Sequence, residues 1–329
     1  MGDGLEPGAM PALDPAVLKW LEAVRSSGRK RLDELAPTDM RSAYAAGRAL
    51  TQLPPPEVAE VTDILDPGAP VPLRLYRGIG TDAGKAPFLI YFHGGGWVMG
   101  GLDTHDVMCR TIANDARIAV VAVDYRLAPE NPFPAAVEDA AGAMRFLKAS
   151  ASRLGLDEGR WAIGGDSAGA NLAVVTALGA RGAPSAGFRC QILLYPNVDA
   201  ATEAPSFDRA PGGSPLTAAL MRKFIGHYIV DPEQRKDWRV SPLRAPTLRG
   251  LPPTLILTVG IDPLCDEGLA FARRLSDEGV RVLHTHFSDQ FHGFANMGKV
   301  LPAARTALGL VAGELDRHLY APSVDGADV

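Results

Sequence analysis

The sequence predicts an α/β protein built on a mostly parallel sheet with helices on both faces. Three observations predict it. From residue 61 onward, short apolar runs alternate with stretches of helical composition, the pattern of parallel strands joined by crossover helices. The apolar run Trp161-Ala162-Ile163 passes through Gly164-Gly165-Asp166-Ser167-Ala168-Gly169-Ala170-Asn171 into a helix-like stretch at 172–178, so a G-x-S-x-G sits between a strand and a helix. The chain is also long and apolar enough for a large core, with 329 residues of which 47% are hydrophobic and 22% charged.

Residues 1–13 read as a loose tail. A helix is expected over 14–25, where Val17, Leu18, Leu21 and Val24 recur at helical spacing and Pro15 suits the first turn. A second helix over 41–50 stops before Pro54-Pro55-Pro56. Strands are expected at 61–65, 73–77, 88–92, 119–123, 161–163, 191–195, 254–259 and 280–286, with helices at 104–116, 134–152, 168–181, 266–278 and 302–318. No helix separates the first strands, so they are expected to join by hairpins and pair partly antiparallel. Residues 197–250, rich in Pro, Ala and Gly, break the rhythm with one helix at 217–228 and no strand. So long an excursion is expected to cover a site. The expected division is 1–52 as the first part of a helical cap, 53–196 and 251–320 as the core, 197–250 as the second part of the cap, and 321–329 as a tail.

A net charge of −5 argues against a nucleic-acid or anionic-membrane partner. Cys109, Cys190 and Cys265 are odd in number and widely spaced, which suits a reducing compartment. The N-terminus has neither the basic nor the apolar region of a signal peptide, and no apolar run approaches about 18 residues, so a cytoplasmic protein without a membrane span is expected.

Three further motifs carry chemistry. Gly94, Gly95 and Gly96 follow the strand at 88–92 within His93-Gly94-Gly95-Gly96-Trp97. Consecutive glycines let backbone N–H groups face a ligand, here a developing oxyanion, although a plain turn or a phosphate cradle also fits. Asp262 follows the strand at 254–259, where it could orient a base or simply cap the next helix. His292 lies in a loop beyond the strand at 280–286 and could act as that base. Ser167, Asp262 and His292 occur in the chain order that α/β-hydrolases use.

With HGGGW at 93–97, DYRLAPE at 124–130, PFPAAVED at 132–139, GDSAGAN at 165–171, DPLCDEG at 262–268 and HGF at 292–294, the chain resembles the hormone-sensitive-lipase-like branch of the α/β-hydrolases, the bacterial family IV carboxylesterases. The resemblance implies an α/β-hydrolase fold with an eight-stranded sheet and a helical cap. It implies Ser167 as nucleophile, His292 as base and then acid, and Asp262 as the group orienting His292. The N–H groups of Gly95, Gly96 and Ala168 would form the oxyanion hole, with Gly94 as the substitute if the register shifts by one. His93 would brace the glycine loop, and Asp124, Arg126 and Glu130 would form a polar network beneath the site. Asp166 matches the GDSAG subgroup, while Ala170 departs from the usual glycine.

The implied reaction is hydrolysis of short- to medium-chain acyl esters through an acyl-enzyme. No metal or organic cofactor is implied, the partner is a small-molecule ester, and a homodimer is plausible for the family. An amidase, lactonase or arylformamidase could use the same triad. A non-catalytic small-molecule receptor is a further alternative, against which His292 stands in place. His284 and His286 share a strand face but lack a further cluster of metal ligands, and packing is expected of Cys109 and Cys265. Trp97 either lines the pocket or packs against the cap.

Overall fold

Eight strands form one sheet in the order β1-β2-β4-β3-β5-β6-β7-β8 in the computed structural model, which describes residues 13–182, 187–210 and 214–320. They are β1 (Glu60–Ile64), β2 (Leu73–Arg77), β3 (Ala86–Phe92), β4 (Ala119–Val123), β5 (Leu156–Asp166), β6 (Phe188–Leu194), β7 (Thr254–Ile261) and β8 (Val282–Phe291). β2 pairs antiparallel with β1 and β4, and every other pairing is parallel. The expected tails, apart from Leu13, lie outside the described residues.

Alternation along the strands sorts side chains into two cores. Phe88, Ile90 and Phe92 of β3 face one cluster, and Leu89 and Tyr91 face the other. The first face is covered by α4 (Ala135–Ser150), α5 (Ala168–Ala180) and α7 (Cys265–Asp277). The second is covered by α3 (Asp106–Ala116), α8 (Ala303–Leu319) and α1 (Pro15–Ser26). The central strands β3 and β4 are buried along their whole length, which is why they read as continuous apolar runs. α5 is buried on nearly every side between the sheet and its neighbours, so it shows no polar face.

Two strands run further than their apolar content suggests. β5 extends on both sides of 161–163, through Asp157 and Glu158 at one end and through glycines and Asp166 at the other. β8 is a sheet edge whose residues from His284 to Asp289 are partly or fully exposed, so its composition gives little sign of a strand past 286. It ends at Phe291, so residues 287–291, expected as loop, are strand and His292 is the next residue. α2 (Pro37–Thr51) starts earlier than expected, with Pro37 in its first turn.

Over the C-terminal edge of the sheet lie α2 and α6 (Ala218–Tyr228), the latter N-capped by Thr217, whose hydroxyl accepts from the Leu220 N–H at 3.2 Å. α6 is the one α-helix that interrupts 197–250 among the described residues. No helix among the described residues is long and apolar enough to cross a membrane.

Candidate active site

Three side chains singled out from sequence follow strand ends directly. Ser167 follows β5, Asp262 follows β7 and His292 follows β8. The parallel sheet therefore carries all three to one edge. His292 Nε2 lies 2.8 Å from Ser167 Oγ, and its Nδ1 lies 2.7 Å from Asp262 Oδ2. Asp262 Oδ1 accepts the Leu264 N–H at 2.9 Å, which fixes the carboxylate so that its other oxygen faces the imidazole. Asp262 is buried, while Ser167 and His292 each keep 8% of their surface exposed, enough to meet a ligand. The Tyr195 ring packs against His292 with centroids 4.7 Å apart.

Ser167 sits at φ 56° and ψ −120°, a backbone region that a residue with a Cβ rarely adopts. That turn needs close approach of strand and helix. A Cβ on Gly165 would lie 2.4 Å from the Phe92 carbonyl oxygen, and one on Gly169 would lie 2.0 Å from the same atom. The two glycines of the motif are thus required by packing, and the serine is held strained at the start of α5.

The glycine loop follows β3 at the same edge. Gly95 and Gly96 line a cavity of about 40 Å³ together with Ser167, His292, Tyr44 and Arg48. Among the described residues, no protein acceptor takes the N–H of Gly95, Gly96 or Ala168. The Gly94 N–H instead donates to Asp166 Oδ1 at 2.9 Å. His93 stacks on Tyr125 at 4.3 Å, and the Tyr125 hydroxyl donates to the His93 carbonyl at 2.8 Å. Burial pushes His93 down to about 3, so it stays neutral as a brace under the loop.

A buried cluster beneath this loop had no sequence signal beyond the motif letter. Asp166 accepts from the Tyr91 hydroxyl at 2.8 Å as well as from Gly94, and His105 Nε2 lies 3.3 Å away. Burial is the largest influence on Asp166 and pushes its carboxyl up, but His105, Tyr91 and Arg48 together outweigh it and hold it below the ordinary range. An ionised Asp166 therefore ties β3, the elbow and the glycine loop together.

The chain segments over the site are anchored by two more buried side chains. Asn171 Nδ2 donates to the carbonyls of Asn197 and Val240 at 3.0 and 2.8 Å. Glu267 Oε1 accepts from the N–H groups of Val198 and Asp199 at 2.6 and 3.2 Å. Trp97 is buried and stacks on Tyr228 of α6 at 4.4 Å and 6°, so it packs against the covering helix rather than lining the cavity. Ala170 is fully buried in α5.

Asp124, Arg126 and Glu130 do not form one network. Arg126 pairs with Asp139 of α4 at 2.7 Å, Glu130 pairs with Arg41 of α2 at 2.5 Å, and Asp124 makes neither contact. Loop segments at a sheet edge face several elements at once, so each charge finds its own neighbour. His284 Nε2 and His286 Nδ1 both lie 2.8 Å from Thr258 Oγ1, and no cluster of three metal-ligating side chains occurs among the described residues. All three cysteines are buried and unpaired, and burial pushes Cys265 up to about 12.

A family described as alpha/beta hydrolase fold matches residues 89–296, the span that runs from β3 through the glycine loop, Ser167, Asp262 and His292. The chain is an α/β-hydrolase of the hormone-sensitive-lipase-like branch. The hydrolase is 38% identical over 320 residues to the carboxylic ester hydrolase LipN of Mycobacterium tuberculosis, covering 93% of this chain and 83% of that one. It is 37% identical over 313 residues to an ethyl acetate hydrolase of Pseudomonas putida, covering 92% and 98%. Among solved structures it superposes on the ester-hydrolase EH1AB1 from the metagenome of Lake Arreo, complexed with a bipyridine phosphonate derivative, with a TM-score of 0.89, 38% identity and coverage of 94% and 100%.

Around the hydrolase's hydrogen-bonded line, α2 and α6 complete the walls. Tyr44 and Arg48 come from α2, and Leu220 and Phe224 come from α6. A second, larger cavity of about 760 Å³ shares Tyr44, Arg48, Met99, Pro215 and Leu220 with the first, so the two meet at these side chains.

Proposed function

We propose that the protein is a carboxylesterase that hydrolyses short- to medium-chain esters through an acyl-enzyme on Ser167. The observation that carries this reading is the line Ser167–His292–Asp262, with spacings of 2.8 and 2.7 Å, beside backbone donors without a protein acceptor. Ser167 Oγ attacks the ester carbonyl while His292 Nε2 takes its proton. The tetrahedral oxyanion then draws the N–H groups of Gly95, Gly96 and Ala168, three donors that cost no rearrangement at the moment of reaction. Gly94 is not needed in this role, since its N–H serves Asp166. His292 returns the proton to the leaving alkoxide, and the alcohol departs. A water, deprotonated by the same histidine, splits the acyl-enzyme and releases the acid.

Asp262 keeps the imidazole in the tautomer with Nε2 open toward serine and stabilises the imidazolium that forms. The described residues of 1–52 and 197–250 act as a two-part cap around this chemistry. The narrow cavity at Ser167 favours a small group on one side of the ester, and the wider one beyond Tyr44 and Leu220 leaves room for an extended group on the other.

The test is a panel of 4-nitrophenyl esters from acetate to dodecanoate, with matched anilides and aliphatic lactones, on the purified protein. Ester turnover that peaks at short to medium acyl length and exceeds amide turnover is expected. A lactone or anilide hydrolysed faster than every ester would move the assignment to another hydrolase class.

A further inference from the structure

Arg48 stands out because it shares a cavity lining with Ser167 and His292 and makes no direct ion pair there, acting on Asp166 only through the field. Arg77, Arg126 and Arg244 each pair with an acidic side chain at 3.0 Å or less. Arg48 has no acidic group within ion-pair distance among the described residues, and it donates only to neutral oxygens, the Tyr44 hydroxyl at 2.8 Å and the Asn296 carbonyl at 3.5 Å. Its Nε is buried with no hydrogen-bond partner. A Cβ built on Gly293 would lie 3.5 Å from Arg48 Nη2, which puts the guanidinium against the residue after His292. Arg48 also lines both cavities.

In the larger cavity cations predominate. Its charged lining residues are Arg29, Lys30, Arg31 and Arg48 against a single carboxylate, Asp33, which is itself paired with Arg31. This cationic wall belongs to a chain whose net charge is −5. The remaining lining includes Trp20, Val24, Leu32, Leu35 and Leu220, so the chamber suits a chain that is apolar along its length and anionic at one point.

We propose that the esters taken by this site carry a carboxylate, which Arg48 receives inside the pocket while Arg29 and Lys30 draw it toward the mouth. Typical members of the class are monoesters of aliphatic dicarboxylic acids. The proposal rests on the esterase reading above. A guanidinium can hold a carboxylate through two parallel N–H donors, and such charge-assisted pairs are the stronger kind. Exposed cations at the mouth act through the field and weaken with salt.

The experiment compares monoethyl adipate with ethyl hexanoate, followed by alkali consumption at constant pH, for the wild type, Arg48→Lys and Arg48→Met. The expected result is a wild-type kcat/KM at least about tenfold higher for the monoester, a preference reduced by 0.5 M salt. Arg48→Met should lower kcat/KM for the monoester about tenfold more than for ethyl hexanoate, with Arg48→Lys between. A wild type that hydrolyses ethyl hexanoate as well as the monoester overturns the proposal, and this comparison needs no variant. Equal losses on both esters in Arg48→Met would make Arg48 a structural tie for α2. Failure on ethyl hexanoate and on every neutral 4-nitrophenyl ester would count against the esterase reading itself.

Discussion

His292 is held from two sides, by Asp262 Oδ2 at 2.7 Å and Ser167 Oγ at 2.8 Å, while His284 and His286 share only the Thr258 hydroxyl on an exposed strand edge. The distinction predicts opposite outcomes. His292→Ala should remove ester hydrolysis, a loss of about 10³-fold or more in kcat, whereas His284→Ala and His286→Ala should stay within a small factor of wild type. Steady-state kinetics on 4-nitrophenyl butyrate decides it, and an essential histidine at 284 or 286 would refute the assignment. The same scale explains what the residues themselves disclosed. Ser167 and Asp262 were legible because each stands in a short motif after an apolar run, and His292 because it completes the chain order Ser, Asp, His. Asp166 was legible only as a motif letter, since its bonds to Tyr91, Gly94 and His105 span 61 to 75 residues and leave no local pattern.

At the level of elements, the buried strands β3 and β4 announce themselves through unbroken apolar runs, and β8 does not. Its outer half carries polar side chains into solvent, so the strand that delivers His292 reads as loop beyond residue 286. α2 and α6 read as helices, but nothing local told that Tyr44, Arg48, Leu220 and Phe224 meet over the serine. α6 presses closely on the glycine loop. A Cβ on Gly96 would lie 2.2 Å from the Phe224 ring. Removing that ring should open the narrow cavity toward longer chains. Phe224→Ala is expected to shift the acyl-length optimum of 4-nitrophenyl esters upward by several carbons, at a stability cost of about 3 kcal/mol for a buried phenylalanine. An unchanged optimum in a folded variant would mean that α6 does not bound the acyl site.

Across the whole molecule, the segment 197–241 is tied to the hydrolase core by buried polar contacts of Asn171 and Glu267, and the second of these depends on pH. Burial pushes the Glu267 carboxyl well above its ordinary value, against the opposing pull of the Val198 and Asp199 N–H groups. A raised pKa in the folded state means that the native protein holds this proton after the unfolded chain has lost it. The contribution is therefore full below the unfolded value, about 4.3, and declines as pH rises toward the folded one. Glutamine has nothing to ionise and escapes the decline. The Tm of Glu267→Gln relative to wild type should rise between about pH 4.5 and pH 8. A difference in Tm that does not change with pH would show that Glu267 is ionised in the native state throughout.

Catalysis rests on Ser167, raised on a strained turn at the sheet edge and hydrogen-bonded to His292, as the group that attacks the ester in the proposed reaction. Its most direct test is the hydrolysis of 4-nitrophenyl butyrate by wild type and by Ser167→Ala, with thermal unfolding to verify that the variant is folded. The folded variant is expected to lose about 10³-fold or more in kcat, down to the level that binding and the oxyanion donors alone provide. A folded Ser167→Ala protein that turns over the ester as fast as wild type would contradict it.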